Sequence, residues 1–290
     1  MHENTTFAKD ELRYHAIDFE ATGLTFDADP TSVVIHHGDS ASALLRENGD
    51  TAADCDALAG KLTTMAGVPV SVEAVETTEA FLSALQRILT DTLTRSEQDV
   101  LTFYNGNPMG RQKGYDVPLI RHATLRNPNA PFPLEGVKYA DLMDATGYGE
   151  VYVREDTVTE SSVKSAFYAD DVKELCAIHG VEPDGGTNMD HYVSAAVENI
   201  DGEEIRAFAD EIGESISYPV DNSQENLYER FGGDSLDYDG YEDSSEAITA
   251  WEEGDYESLL AHNLADVVMT NYLTDRLLEV CAFPRVRRLN

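Results

Sequence analysis

Asp18 and Glu20 stand two residues apart inside the apolar run Ala16-Ile17-Asp18-Phe19-Glu20-Ala21. On an extended strand such positions share a face, so both carboxylates project the same way. Asp116, in Gly114-Tyr115-Asp116-Val117-Pro118, falls at the N-terminal edge of an expected helix. Near the C-terminus, Ala261-His262-Asn263-Leu264-Ala265-Asp266 sets a histidine four residues ahead of an aspartate. On a helix that spacing also puts both side chains on one face. Buried carboxylates cost several kcal/mol each unless they are paired or bound to a metal. Clusters of them suit hard divalent cations such as Mg²⁺ and Mn²⁺. Each segment alone has an ordinary reading: a solvent-facing strand end, a helix N-cap, a surface i,i+4 pair. With 55 acidic residues in the chain, isolated carboxylates carry little meaning. Their order and their apolar context are what count.

Taken in order, Ala16-Ile17-Asp18-Phe19-Glu20-Ala21-Thr22-Gly23-Leu24, then Tyr104-Asn105-Gly106 with Gly114-Tyr115-Asp116-Val117-Pro118, then His262 and Asp266, resemble the three motifs of a known family. That family is the DEDD superfamily of 3′–5′ exonucleases. The sequence is most similar to the stand-alone branch related to the proofreading domains of family B DNA polymerases. The resemblance implies an α/β chain with a ribonuclease-H-like mixed β-sheet flanked by helices. It also implies two bound Mg²⁺ or Mn²⁺ ions, hydrolysis of phosphodiester bonds in DNA or RNA, and single-stranded nucleic acid or 3′ ends as partners. By the same resemblance Asp18 bridges both ions, Glu20 and Asp266 complete the first, and Asp116 supports the second. His262 then orients or deprotonates the attacking water, which leaves metal affinity nearly independent of it.

Two features depart from the family pattern. Asn105 lies eleven residues before Asp116, where the family has about five, so residues 107–113 form an added loop carrying Arg111 and Lys113. His262 stands in the register that the family usually gives to a tyrosine; Tyr256, ten residues before Asp266, is the remote substitute. Asp141 and Asp144 are the nearest alternatives to Asp116. His36, His37, His122, His179 and His191 show no ligand spacing, and Arg285, Arg287 and Arg288 read as a frayed basic tail. A non-catalytic nucleic-acid-binding or scaffold protein of the same fold is the competing functional class.

The elements that must position these groups follow from periodicity. Residues 12–19, 31–36 and 41–46 read as strands, with Gly38-Asp39 at a turn, and would open the sheet as an antiparallel meander. Residues 50–70 are ambiguous. Thr77 or Thr78 caps a helix bearing Phe81, Leu82, Leu85, Ile88 and Leu89. A short buried strand over 100–104, a helix over 116–126 and a strand over 138–143 come next. One helix is expected over 163–179, ending at Gly180; another covers 201–212. The last, over 256–280, carries Leu260, Leu264, Val267 and Leu278 on one face. The acidic stretch 182–254 reads as an insertion and lid within a single domain spanning 1–290, with 225–240 as a mobile loop.

Composition sets the remaining bounds. The 290 residues carry 20 basic against 55 acidic side chains, a formal charge of −35, yet 42% are hydrophobic, enough for a substantial core. Acidity spread along the whole chain, with few lysines, resembles proteins that work in molar salt. No run of about 18 apolar residues exists for a membrane span. The first residues lack the basic and apolar blocks of a signal peptide, so a cytoplasmic location is expected. Three widely spaced cysteines (Cys55, Cys176, Cys281) support neither a disulfide framework nor a zinc site.

Overall fold

The computed structural model describes residues 12–23, 25–93, 98–104, 115–143, 153–154, 158, 160–183, 186, 188–214, 220–221, 223–241, 245–279 and 286–289. In place of the single domain expected, the chain forms two compact units, Met1–Val151 with Ser223–Asn290, and Tyr152–Asn222. The boundary therefore falls inside the stretch 182–254. Its first part belongs to the smaller unit and its second part to the larger.

The larger unit begins with β1 (Arg13–Ala21), β2 (Pro30–His37) and β3 (Ser40–Arg46), paired antiparallel in succession. The two-residue turn between β2 and β3 begins with Gly38 at φ 59°, a left-handed conformation that glycine adopts without steric cost. Then come α1 (Cys55–Ala66), β4 (Val70–Val75), α2 (Thr78–Thr92), β5 (Asp99–Phe103), α3 (Asp116–Arg126) and β6 (Lys138–Asp141). The ambiguous stretch 50–70 thus resolves into α1 and the start of β4. Asp54 caps α1 by accepting from the Ala57 N–H, and Gly67 ends it in the left-handed conformation. Thr77 caps α2 in the same way, through the Ala80 N–H.

The smaller unit holds β7 (Val153–Arg154), α4 (Glu160–Ala166), α5 (Ala169–His179), α6 (Met189–Asn199), α7 (Gly202–Ile212) and β8 (Val220–Asp221). Its core gathers Val163, Phe167, Val172, Leu175, Val193, Ile205 and Phe208. The single helix expected over 163–179 is broken, because the Asp171 carboxylate accepts from the Tyr168 N–H at 2.8 Å and starts a new helix there. The chain returns to the larger unit with α8 (Gln224–Arg230), α9 (Ser245–Glu253), α10 (Tyr256–Glu279) and β9 (Arg287–Arg288).

The seven strands of the main sheet run in the order β4-β3-β2-β1-β5-β6-β9. Neighbours β3/β4, β1/β5 and β5/β6 are parallel, whereas β6/β9 is antiparallel. The protein is therefore α/β, with a mixed sheet flanked by helices. Arg287 and Arg288 are not a frayed tail but an edge strand. Alternation decides which face each residue serves. Ile17, Phe19, Val33, Ile35 and Leu44 pack beneath α2 and α3, against Phe81, Leu85, Val117 and Ile120. Ala16, Val34, Ala43 and Leu45 face α1 and α10, against Leu58, Leu62, Leu260 and Leu264. By the same alternation Asp18 and Glu20 point toward α10.

That helix is not one-sided as its sequence suggests. Leu259, Leu260, Ala261, His262, Asn263, Leu264 and Ala265 are all buried, since the sheet, α1, α8 and α9 surround it. The stretch 225–240, expected as a loop, is helical in its first part and irregular only from residue 231 on. Residues 224–230 are helical, and the Tyr272 hydroxyl donates to the Phe231 carbonyl at 2.9 Å, tying the following segment to α10. Among the described residues, no helix is long and apolar enough to cross a membrane.

Candidate metal centre

Three elements converge near the C-terminal half of β1. Strand β1 brings Asp18 and Glu20, the first turn of α3 brings Asp116, and α10 brings His262, Asn263 and Asp266. Asn263 locks strand to helix: its Nδ2 donates to Asp18 Oδ2 at 2.6 Å, and its Oδ1 accepts from Ser32 Oγ at 3.3 Å. Gln224, on α8, donates to the Asp266 carbonyl and to Thr270 Oγ1, holding α10 from its other side.

His262 has its two ring nitrogens in different surroundings. Nδ1 lies 2.9 Å from Asp239 Oδ1, a hydrogen bond. Nε2 lies 3.6 Å from Glu20 Oε1 and 3.7 Å from Asp266 Oδ2, too far for one. The Tyr241 ring sits against the imidazole, with centroids 4.9 Å apart. Glu20, His262 and Asp266 each bring one donor atom into a group whose members lie within 4.8 Å of one another.

The charges are crowded and poorly compensated. Burial first, then the Asp18 charge, pushes Glu20 up to about 8. Burial also raises Asp18 to about 6, although His262 and the Asn263 hydrogen bond pull the other way. Asp116, only 5% exposed, is driven well above the carboxylate range by burial and by the fields of Asp18, Asp141, Glu20 and Asp266. Burial and Asp18 do the same to Asp266. For His262, burial favours the neutral ring, but the Asp239 hydrogen bond and the charges of Asp266 and Glu20 outweigh it and raise the pKa to about 10. Among the described residues, His262 is the only basic side chain paired with any of these four carboxylates. Among the described residues, Asp116 Oδ2 is buried with no hydrogen-bond partner. A divalent cation would relieve both deficits, and the donor set of carboxylate oxygens and one imidazole fits such an ion.

All five residues singled out from sequence, Asp18, Glu20, Asp116, His262 and Asp266, therefore belong to one centre. Asp141 does not displace Asp116; it is buried beside it and accepts the Met143 N–H at 3.0 Å. Tyr256 is no substitute for His262, because its hydroxyl is taken by Asn48 Oδ1 at 3.1 Å and the Thr51 carbonyl at 2.9 Å. Four of the other histidines have partners elsewhere: His15 with Asp99, His37 with Ser40 and Ser42, His122 with Phe26 and His179 with Glu204. Asn105, Gly106, Arg111, Lys113, Asp144 and Arg285 lie outside the described residues.

Sequence reasoning missed Asp239, Tyr241 and Asn263. The last had a visible signal, an amide on the buried stretch of a helix beside His262. Asp239 had none, being one acid in an acid-rich segment. No protein-family model and no curated protein matches the chain.

Proposed function

We propose that this chain is a two-metal-dependent 3′–5′ exonuclease, hydrolysing phosphodiester bonds of single-stranded DNA or RNA with Mg²⁺ or Mn²⁺. One observation carries the reading: carboxylates from β1, α3 and α10 meet in a buried cluster with pKa values pushed up and one oxygen left without a partner. A fold does not keep such charge density for stability, because unpaired buried carboxylates oppose folding. The reading extends to a ribonuclease-H-like core. In its support, an antiparallel meander continues into parallel strands, and the acidic groups arise from the first strand, a middle helix and the last long helix. Attack from the 3′ end rests on the motif resemblance.

Asp18, Glu20, Asp116 and Asp266 would hold the ions. When bound, two divalent ions neutralise charge on the attacking and leaving oxygens of an in-line displacement. The protein's own part is orientation. Asn263 fixes the Asp18 carboxylate, and Asp239 sets the tilt of the His262 ring. Partial burial of Glu20 and Asp266, whose side chains are 12% and 17% exposed, lowers the local dielectric and strengthens every interaction with a phosphate group.

The test is release of nucleotides from end-labelled single-stranded DNA and RNA, with Mg²⁺ or Mn²⁺, in molar KCl. Wild-type protein should shorten the strand from its 3′ end, and Asp18→Ala should not. Absence of any metal-dependent product from folded protein on either substrate refutes the activity.

A further inference from the structure

We infer that His262 Nε2 is itself a metal ligand, so that Glu20, His262 and Asp266 form a mixed nitrogen–oxygen position selective for a transition ion over Mg²⁺. The inference rests on the metal-centre reading above, though not on the nuclease activity.

Distances carry the first part of the argument. Were His262 simply a salt-bridge partner, Nε2 would approach a carboxylate to about 2.7–2.9 Å. It lies instead 3.6 Å from Glu20 and 3.7 Å from Asp266, nearly equidistant and bonded to neither. Ligands on one ion with bonds of about 2.0–2.2 Å stand roughly 3.0–3.5 Å apart along a coordination edge. The two His262 separations exceed that by a few tenths of an ångström, a gap that small side-chain rotations close, and the third edge, Glu20 to Asp266, lies within 4.8 Å.

The second part is the far side of the ring. A histidine that binds metal through one nitrogen almost always gives its other N–H to a carboxylate or carbonyl, which fixes the tautomer and aims the lone pair. Asp239, 2.9 Å from Nδ1, occupies that place. With Nδ1–H donated to Asp239, a metal that displaces the Nε2 proton would meet a lone pair facing Glu20 and Asp266. Tyr241, packed against the ring at a tilt of 48°, restrains its remaining rotation. An independent sign that the neighbourhood is built for cations is the buried Asp116 Oδ2, which has no hydrogen-bond partner among the described residues.

Selectivity follows from donor chemistry. Imidazole suits Zn²⁺, Fe²⁺ and other borderline transition ions, with Mn²⁺ accepting mixed sets, whereas Mg²⁺ prefers oxygen and water. Asp18 and Asp116 offer oxygen alone. The centre therefore offers two chemically unlike positions.

The experiment uses the full chain loaded with one equivalent of Mn²⁺ in molar KCl. Pulsed electron paramagnetic resonance should detect coupling of the Mn²⁺ spin to a histidine nitrogen, and ¹⁵N-histidine labelling should change that coupling without any mutation. Calorimetry should show Mn²⁺ binding tighter than Mg²⁺. His262→Gln should abolish the nitrogen coupling, and Asp239→Asn should weaken Mn²⁺ about 10–100-fold. Bound Mn²⁺ without nitrogen coupling overturns the inference while leaving the carboxylate centre standing. No Mn²⁺ binding at all by folded protein overturns both.

Discussion

Replacing Glu20 by glutamine should make the metal-free protein more stable and the metal-loaded protein less so. The amide keeps the volume and one acceptor oxygen but never ionises. In the fold, Glu20 titrates near 8 rather than 4.5, so ionising it works against folding. A raised folded-state pKa favours the fold fully below the unfolded value, and that advantage is lost as pH climbs through the folded one. Between about pH 4.5 and 8 the wild type thus loses up to roughly 1.4 kcal/mol per pH unit relative to Glu20→Gln. Burying the glutamine NH₂ without an acceptor costs about 1–3 kcal/mol of the roughly 5 kcal/mol that window allows, so the net gain at pH 8 is about 2–3 kcal/mol. For a unit of this size, 1 kcal/mol moves Tm by about 2–4 °C, which places the variant roughly 4–12 °C above wild type in EDTA at pH 8. At pH 5 both side chains are largely neutral, and the gap should close to about 2 °C or less. Mn²⁺ at a thousand times its Kd adds about 4 kcal/mol to the wild type and little to a variant that has lost a charged ligand, reversing the order. Thermal melts in 2 M KCl, with EDTA or MnCl₂, at both pH values, read all four numbers. A variant that melts below wild type in EDTA at pH 8, or a gap that persists at pH 5, would refute the reasoning.

Three further outcomes are expected. Asp116→Asn should lower the number of Mn²⁺ ions bound per chain from two to one by calorimetry, because the mixed position does not use it; an unchanged count argues against two positions. Asn263→Ala should cost about 1–3 kcal/mol in thermal or denaturant unfolding, since it strips Ser32 and Asp18 of a shared buried partner. With a net charge of −35, Tm should rise as KCl goes from about 0.1 to 2 M, where the screening length shrinks from about 10 Å to a few ångströms. A flat or falling trend would leave the acidity without a role in salt tolerance.

The strands were legible because β1, β2 and β3 are short runs rich in apolar and β-branched residues such as Ile17, Val33, Val34 and Ile35, and Gly38-Asp39 marks a turn between the last two. Helix α3 was legible to its bounds since Pro118 tolerates only the first turn. Helix α1 was not, as Leu58 and Leu62 are its only buried residues and its small side chains leave little period. The break before α5 was hidden too: apolar spacing runs straight through Phe167, and only the Asp171 cap interrupts it. At the centre, the residues held by local geometry were visible, i,i+2 on a strand and i,i+4 on a helix. Those that arrive by tertiary packing were not. Asp239 reaches His262 across 23 residues from a segment with no period at all.

The join between β1 and α10 dictates when the carboxylate cluster assembles. Asn263 grips Asp18 across 245 residues of chain and Ser32 across 231, so the strand made first is completed by the helix made last. Contacts so distant in sequence form late and slowly, after the intervening loops have closed. Until residues 256–279 have been made, Asp18 and Glu20 stand without the helix that brings His262, Asn263 and Asp266 to them. Any truncation ahead of residue 266 leaves the carboxylate cluster incomplete.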